Sequence, residues 1–142
     1  MLHVRTVLSP SRIHGFGVFA DQYISKGAII WTFEPKLDLS LPREQIRRLP
    51  ALPRAYLKHF AYLSSRTNRY VLCFDNARYF NHSDMPNTRS TEKLLHSESV
   101  DIAVRNIFFG EELTTDYGEF DIEKEYKLRS VSVHDGITAE AA

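Results

Sequence analysis

Three polar stretches of the chain combine residue types that can bind or transfer chemical groups. The densest is Ala77-Arg78-Tyr79-Phe80-Asn81-His82-Ser83-Asp84-Met85-Pro86-Asn87, where aromatic residues lead into short polar side chains and a proline. Taken alone it has two readings. It can be a strand entering a turn, in which Asn, Ser and Asp cap their own backbone and Pro86 fixes a dihedral angle, or it can be a binding loop. Asn81 and His82 could also be grouped with Asp75, Asp84 or His59 as metal ligands, but no spacing here matches a recognised ligand pattern. The second stretch, Gly110-Glu111-Glu112-Leu113-Thr114-Thr115-Asp116-Tyr117-Gly118, reads on its own as a turn followed by a charged edge strand. The third, Ser11-Arg12-Ile13-His14-Gly15-Phe16-Gly17-Val18-Phe19-Ala20, is glycine-rich but is no dinucleotide fingerprint. It lacks G-x-G-x-x-G, and strand-like sequence follows where a helix would be needed.

The elements that must position these stretches are mostly strands. His3 to Leu8 mixes β-branched and polar residues at roughly alternating positions and predicts a half-buried strand. Gly15-Phe16-Gly17 separates it from Val18-Phe19-Ala20, and Ser25-Lys26-Gly27 precedes a strand-like run from Ala28 to Phe33, so the first third predicts a β-meander. Between about residues 41 and 63 the period becomes helical. Pro42 suits the first turn of a short helix carrying Ile46 and Leu49, and Pro53 can start a second with Tyr56, Leu57, Phe60 and Leu63 on one face. Strand signals return at Tyr70 to Phe74, Val100 to Val104 and Glu112 to Tyr117. Asp121 to Arg129 suits a short helix, with Asp121 and Glu123 near its positive end and Lys127 and Arg129 near its negative end. The expectation is one mainly β domain with short helices (α+β) over residues 1–130, carrying a helical insert at about 41–63, and a flexible tail over 131–142.

A chain of 142 residues, 43% hydrophobic, can bury one core. Eighteen basic and eighteen acidic side chains cancel, which removes the long-range field that draws proteins to phosphate backbones. Direct nucleic-acid binding is therefore not expected. Cys73 stands alone, so an internal disulfide and an all-cysteine zinc cluster are both excluded, no metal is expected, and a reducing compartment suits the chain. No leader-like apolar run follows Met1 and no window is long enough to cross a bilayer. The expectation is a soluble intracellular protein, cytoplasmic rather than nuclear, with no membrane partner. Its oligomeric state stays open, a homodimer included.

In this order and spacing the three stretches resemble the SET domain of protein-lysine methyltransferases. That pattern runs from a Gly-x-Gly turn through Arg-Phe-x-Asn-His-Ser-x-x-Pro-Asn to Glu-Leu-x-x-Asp-Tyr. The resemblance extends from about Val4 to about Phe120, with a variable helical insert between the first and second motifs. It implies small curved β-sheets with the C-terminal segment threaded through a loop, an exception to the usual absence of knots. It also implies S-adenosylmethionine as cofactor and a protein or peptide presenting lysine as substrate. By the same resemblance Tyr117 is the catalytic residue, its hydroxyl orienting amine and methyl. Asn81 would hold the polar end of the cofactor, accepting from its ammonium while donating elsewhere. His82 would meet the adenine through its main chain. Gly15, Phe16 and Gly17 would bring their backbone close to the cofactor, where a side chain on either glycine would obstruct the approach. Arg78 joins this cofactor-binding set and is expected to pair with an acidic group that fixes the loop.

The chain departs from that pattern in three places. It lacks the cysteine-rich modules that flank the domain in many relatives, which leaves Phe120, Tyr126 and the terminal helix either to close the site or to pack on the core. Phe33-Glu34-Pro35 stands where relatives often carry Tyr-x-Gly, and Thr115 stands where some carry a large aromatic, so an altered and looser lysine channel is expected. The alternative function is a noncatalytic module of the same fold that binds a peptide strand.

Overall fold

The computed structural model describes residues 1–93 and 95–129, so the tail expected over 131–142 lies outside the described residues. The strands are β1 (Thr6–Pro10), β2 (Phe16–Ala20), β3 (Ile29–Trp31), β4 (Leu39–Pro42), β5 (Tyr62–Leu63), β6 (Arg69–Leu72), β7 (Asn81–His82), β8 (Thr88–Thr91), β9 (Val100–Ala103) and β10 (Glu112–Thr115). Two helices, α1 (Arg43–Arg47) and α2 (Ala51–Phe60), lie between β4 and β5, and a helical segment covers 124–129.

β1 and β2 form a hairpin whose tip is closed locally. The Ser11 hydroxyl accepts from the Ile13 amide at 2.9 Å, and the Ser11 amide donates to the Gly15 carbonyl at 2.8 Å. Gly15 takes a φ of +47°, where a side chain would be strained. The tip sets the register, so β1 begins at Thr6 instead of His3; the His3 amide instead donates to the Ile30 carbonyl at 2.8 Å. The expected meander ends with this hairpin. At Gly27, φ +84°, the chain turns away, and the Gly27 amide bonds the Ala103 carbonyl at 2.8 Å while the Ala103 amide bonds the Ala28 carbonyl at 2.9 Å. Those bonds fasten β3 to β9, in a sheet ordered β3-β9-β8.

The first sheet is ordered β1-β2-β10-β7, and its last pairing is parallel, with Thr114 opposite Asn81 and Thr115 opposite His82. Two of the chemistry-bearing stretches thereby become neighbours. Beneath them Val18, Ala20, Ile24, Ile30, Phe80, Ala103, Ile107 and Leu113 form a buried cluster. Each of the Val, Ile, Leu and Phe side chains contributes about 1.5 to 3 kcal/mol by leaving water, Leu113 among them at 0% exposure.

The third sheet, β4-β6-β5, carries the helices. Pro42 and Pro50 precede α1 and α2 in extended conformation, as residues at a helix entrance should. Leu63 does not share a face with Tyr56, Leu57 and Phe60. Ala61 leaves the helical region at ψ 154°, and Leu63 enters β5, buried against Ile46, Ala61 and Tyr70. Asp121 likewise does not open the last helix. It bridges to Ser64, while the Ser65 amide bonds the Phe120 carbonyl and the Ile122 amide bonds the Leu63 carbonyl, each at 2.9 Å. The segment after β10 thus runs back along β5 before the helix over 124–129 begins. Among the described residues no helix is long and apolar enough to cross a membrane.

Candidate active site

One carboxylate, which spacing alone does not single out from its charged neighbours, ties the three stretches together. Glu112 opens β10, and the Ser11 hydroxyl lies 2.9 Å from both its oxygens while Asn81 Nδ2 donates to it at 2.8 Å. Asn81 Nδ2 also reaches the carbonyls of His14 and Phe16, each at 3.1 Å. With its nitrogen so committed, Asn81 has its carbonyl oxygen left to accept from a ligand. Gly17 is the trace of this arrangement in the sequence. A Cβ there would fall 2.1 Å from Glu112 Oε1 and 3.1 Å from Ser11 Cβ, so the bare glycine makes room for the carboxylate and does not line the cavity described next. Gly15 does line it, with nothing within 4 Å of where its Cβ would stand.

That cavity, of about 330 Å³, is walled by Gly15, Phe16, Arg78, Asn81, His82 and Tyr117, among others. Its size falls in the range of small-molecule sites. Among the described residues Arg78 pairs with no acid: its guanidinium donates to the carbonyls of Phe74 at 2.7 Å and Asp75 at 3.4 Å, which hold the loop through the backbone instead. The His82 imidazole contributes more than its main chain. Nδ1 accepts from the Tyr117 amide at 3.3 Å and Nε2 lies 3.3 Å from the Asp84 carboxylate, which places the ring proton on Nε2. Asp116 caps the short turn Tyr117–Glu119 by accepting from the Gly118 amide at 2.7 Å. Together these bonds fix where Tyr117 leaves β10.

A second, narrow cavity of about 60 Å³ meets the first along His59, Phe60, Arg78, Phe80, Tyr117 and Lys127. Trp31, Tyr62 and Phe120 are among its walls, the Phe120 ring standing edge-on to Tyr62 at 5.0 Å and to Tyr117 at 6.1 Å. Tyr117 stands at the junction and donates its hydroxyl to the Phe80 carbonyl at 2.5 Å. Burial, then the charges of Asp121 and Glu112, push its phenol well above the usual range, so the hydroxyl keeps its proton. Deeper in the narrow cavity Asp101 is pushed up to about 6 by burial, against the opposing hydrogen bond from Ser90 at 2.5 Å. Thr115 and Trp31 line it too, and Thr115 Oγ1 and Trp31 Nε1 are buried without hydrogen-bond partners among the described residues. Phe33 lies outside both cavities, packed on the cluster of Trp31, Val71 and Cys73.

The C-terminal segment closes the site with Phe120, Lys127 and Leu128. Tyr126 does not take part: it is 43% exposed and faces Lys58, whose Nζ is 4.6 Å from its ring centre. Lys127 Nζ lies 3.3 Å from Asp121 Oδ2 and 5.4 Å from the centre of the Tyr117 ring. Burial lowers the pKa of this ammonium, and the Asp121 charge opposes the shift. Among the described residues no group of three or more His, Cys, Asp and Glu side chains could hold a metal ion.

The sequence pattern of the SET domain matches residues 15–118. No curated protein matches the chain. Among solved structures it is similar to a Plasmodium falciparum protein described as a candidate histone methyltransferase, at 25% identity and a TM-score of 0.58, over 82% of this chain and 96% of that one. It is also similar in fold to a humanized mutant of the Chaetomium thermophilum Polycomb Repressive Complex 2 bound to the inhibitor GSK126. There the identity is 21% and the TM-score 0.57, over 84% of this chain and only 16% of that one.

Proposed function

Because the chain belongs to the SET domain family, whose pattern spans residues 15–118, we propose that it is a protein-lysine methyltransferase using S-adenosylmethionine. The observation that carries this reading is the meeting of a wide and a narrow cavity at the Tyr117 hydroxyl. Methyl transfer from a sulfonium to an amine is an in-line displacement, so the protein must hold two reactants on opposite sides of one point and keep water out.

The wide cavity suits the methyl donor. Asn81 Oδ1 would accept from the donor's ammonium, the backbone at Gly15 and Phe16 would follow its length, and the aromatic faces of Phe60, Tyr79, Phe80 and Tyr117 favour a cationic centre. When bound, S-adenosylmethionine supplies a methyl group made electrophilic by the positive sulfur. The narrow cavity suits a lysine side chain, because its walls strip water from the alkyl stem and desolvation there favours the neutral amine. Thr115 Oγ1, with a free acceptor in that wall, would receive an amine N–H. Since the Tyr117 proton is given to the Phe80 carbonyl, its oxygen lone pairs would be left to orient the amine and to accept weak contacts from the methyl hydrogens. No protein nucleophile is required.

The test is methyl-transfer mass spectrometry with purified protein and a cell lysate, alongside calorimetry with S-adenosylmethionine. Binding with a methylated lysine as product supports the proposal. Binding of a peptide strand with no transfer would instead establish the noncatalytic module.

A further inference from the structure

Lys127 puts a primary amine of the chain itself where the two cavities join. It stands on the helical segment over 124–129 and, among the described residues, is the one lysine lining either cavity. It lines both. Its side chain is only 15% exposed, and its Nζ stands over the Tyr117 ring beside the Asp121 carboxylate. A lysine in water is protonated and inert as a nucleophile. Here burial in the cavity walls disfavours the charged form, while the Asp121 carboxylate and the face of the Tyr117 ring hold the amine in place and limit that effect. An amine delivered by a substrate would have to end in the same space.

We propose that Lys127 is a methyl acceptor, modified within its own chain beside Tyr117; this rests on the methyltransferase reading above. Lys127 Nζ first releases a proton to water. The neutral amine then forms an N–C bond to the methyl carbon as the C–S bond breaks, the bonding pair staying on sulfur. The positive charge passes from the sulfonium to the methylated nitrogen, and S-adenosylhomocysteine is the other product. A methyl replaces one N–H, so the Asp121 pair survives while the junction becomes more crowded, which makes the modification a brake on entry of a second lysine.

Purified protein would be incubated with tritiated S-adenosylmethionine, alone and with lysate proteins, then digested and mapped by mass. The expected result is label on Lys127, at a fractional rate unchanged by serial dilution and lost in Lys127→Arg. Methyl groups already on Lys127 after expression count as the same result. Independently of turnover, S-adenosylhomocysteine should slow acylation of Lys127 by acetic anhydride relative to the exposed Lys26 and Lys36. Labelled lysate proteins with none on Lys127 overturn this inference and leave the methyltransferase reading standing; no label in either arm overturns both. A labelling rate that falls on dilution, or acylation indifferent to S-adenosylhomocysteine, rules out modification within the same chain at this site.

Discussion

Asn81 and Glu112 lie on different strands of one sheet, and the Asn81 amide nitrogen is 2.8 Å from the Glu112 carboxylate. The amide is therefore oriented before any ligand arrives. Asn81→Ala should weaken S-adenosylmethionine binding by about 1 to 3 kcal/mol, the range for losing a charge-assisted partner, as read by calorimetry on folded variant. Wild-type affinity would remove Asn81 from the cofactor site.

Gly17→Ala separates two roles for that glycine. If its bare backbone served only the cofactor, the unliganded protein would melt as the wild type does. Because a Cβ would strike Glu112 Oε1, the melting temperature of the unliganded protein should fall together with donor affinity, by a free energy of about 1 to 3 kcal/mol when a partly buried charged group loses its partners. Gly17→Ala should thus mimic Glu112→Ala in a thermal melt.

Tyr117→Phe keeps the ring and deletes the hydroxyl. Stability should drop by only about 1 kcal/mol for the lost bond to the Phe80 carbonyl, and most donor affinity should survive. Single-turnover rates should fall by about two to three orders of magnitude, as for other preorganised polar groups. A folded, donor-binding variant within a few-fold of wild type would sink the assignment.

Asp101 gives a pH dependence of definite sign. Its carboxyl is raised to about 6 in the fold against about 3.9 in the unfolded chain, so between those values the native state binds more protons. Its contribution therefore makes stability fall as pH rises from about 4 to about 6 and level off above, a penalty of at most about 3 kcal/mol. Asp101→Asn, which keeps an acceptor for Ser90, should flatten that decline and gain stability relative to wild type at pH 7. Denaturant melts of both proteins at pH 4 and pH 7.5 would show it.

Chelation should leave methyl transfer intact, since His14, His59 and His82 all line the wide cavity yet form no group of three or more ligands that could hold a metal ion among the described residues. Loss of turnover on exhaustive chelation, restored by zinc, would overturn this expectation.

Asn81, His82 and Tyr117, which line the wide cavity, were legible because their chemistry is carried in contiguous stretches, Asn81-His82 and Glu112 to Tyr117. Local patterns gave strands flanking a helical insert, whereas the architecture of small sheets was expected from the family resemblance and not from periodicity, and the short strands β4, β5, β7 and β8 carry no pattern of their own. What sequence could not supply was partnership across the chain. Glu112 looks like any solvated glutamate until β2, β7 and β10 lie side by side, and Arg78 meets carbonyls where a charge rule suggests a carboxylate. Leu63 was misplaced because helical spacing continues past Ala61, although the backbone has already turned extended. Lys127 had no signal at all, since its spacing marks only a helix end.

Ser11 and Glu112, joined at 2.9 Å, are 101 positions apart. During synthesis the hairpin tip and the Asn81 loop emerge well before the carboxylate that draws them together. Closing so long a loop adds little free-energy cost, since each doubling of length costs about 0.6 kcal/mol, but contacts of this span form late. A nascent chain that stops short of Glu112 has the hairpin tip and the Asn81 loop, but it lacks the carboxylate between them and the Tyr117, Lys127 and Leu128 that also wall the donor cavity. Capture of the methyl donor should therefore coincide with completion of the domain, which spares unfinished chains from premature chemistry on their own lysines.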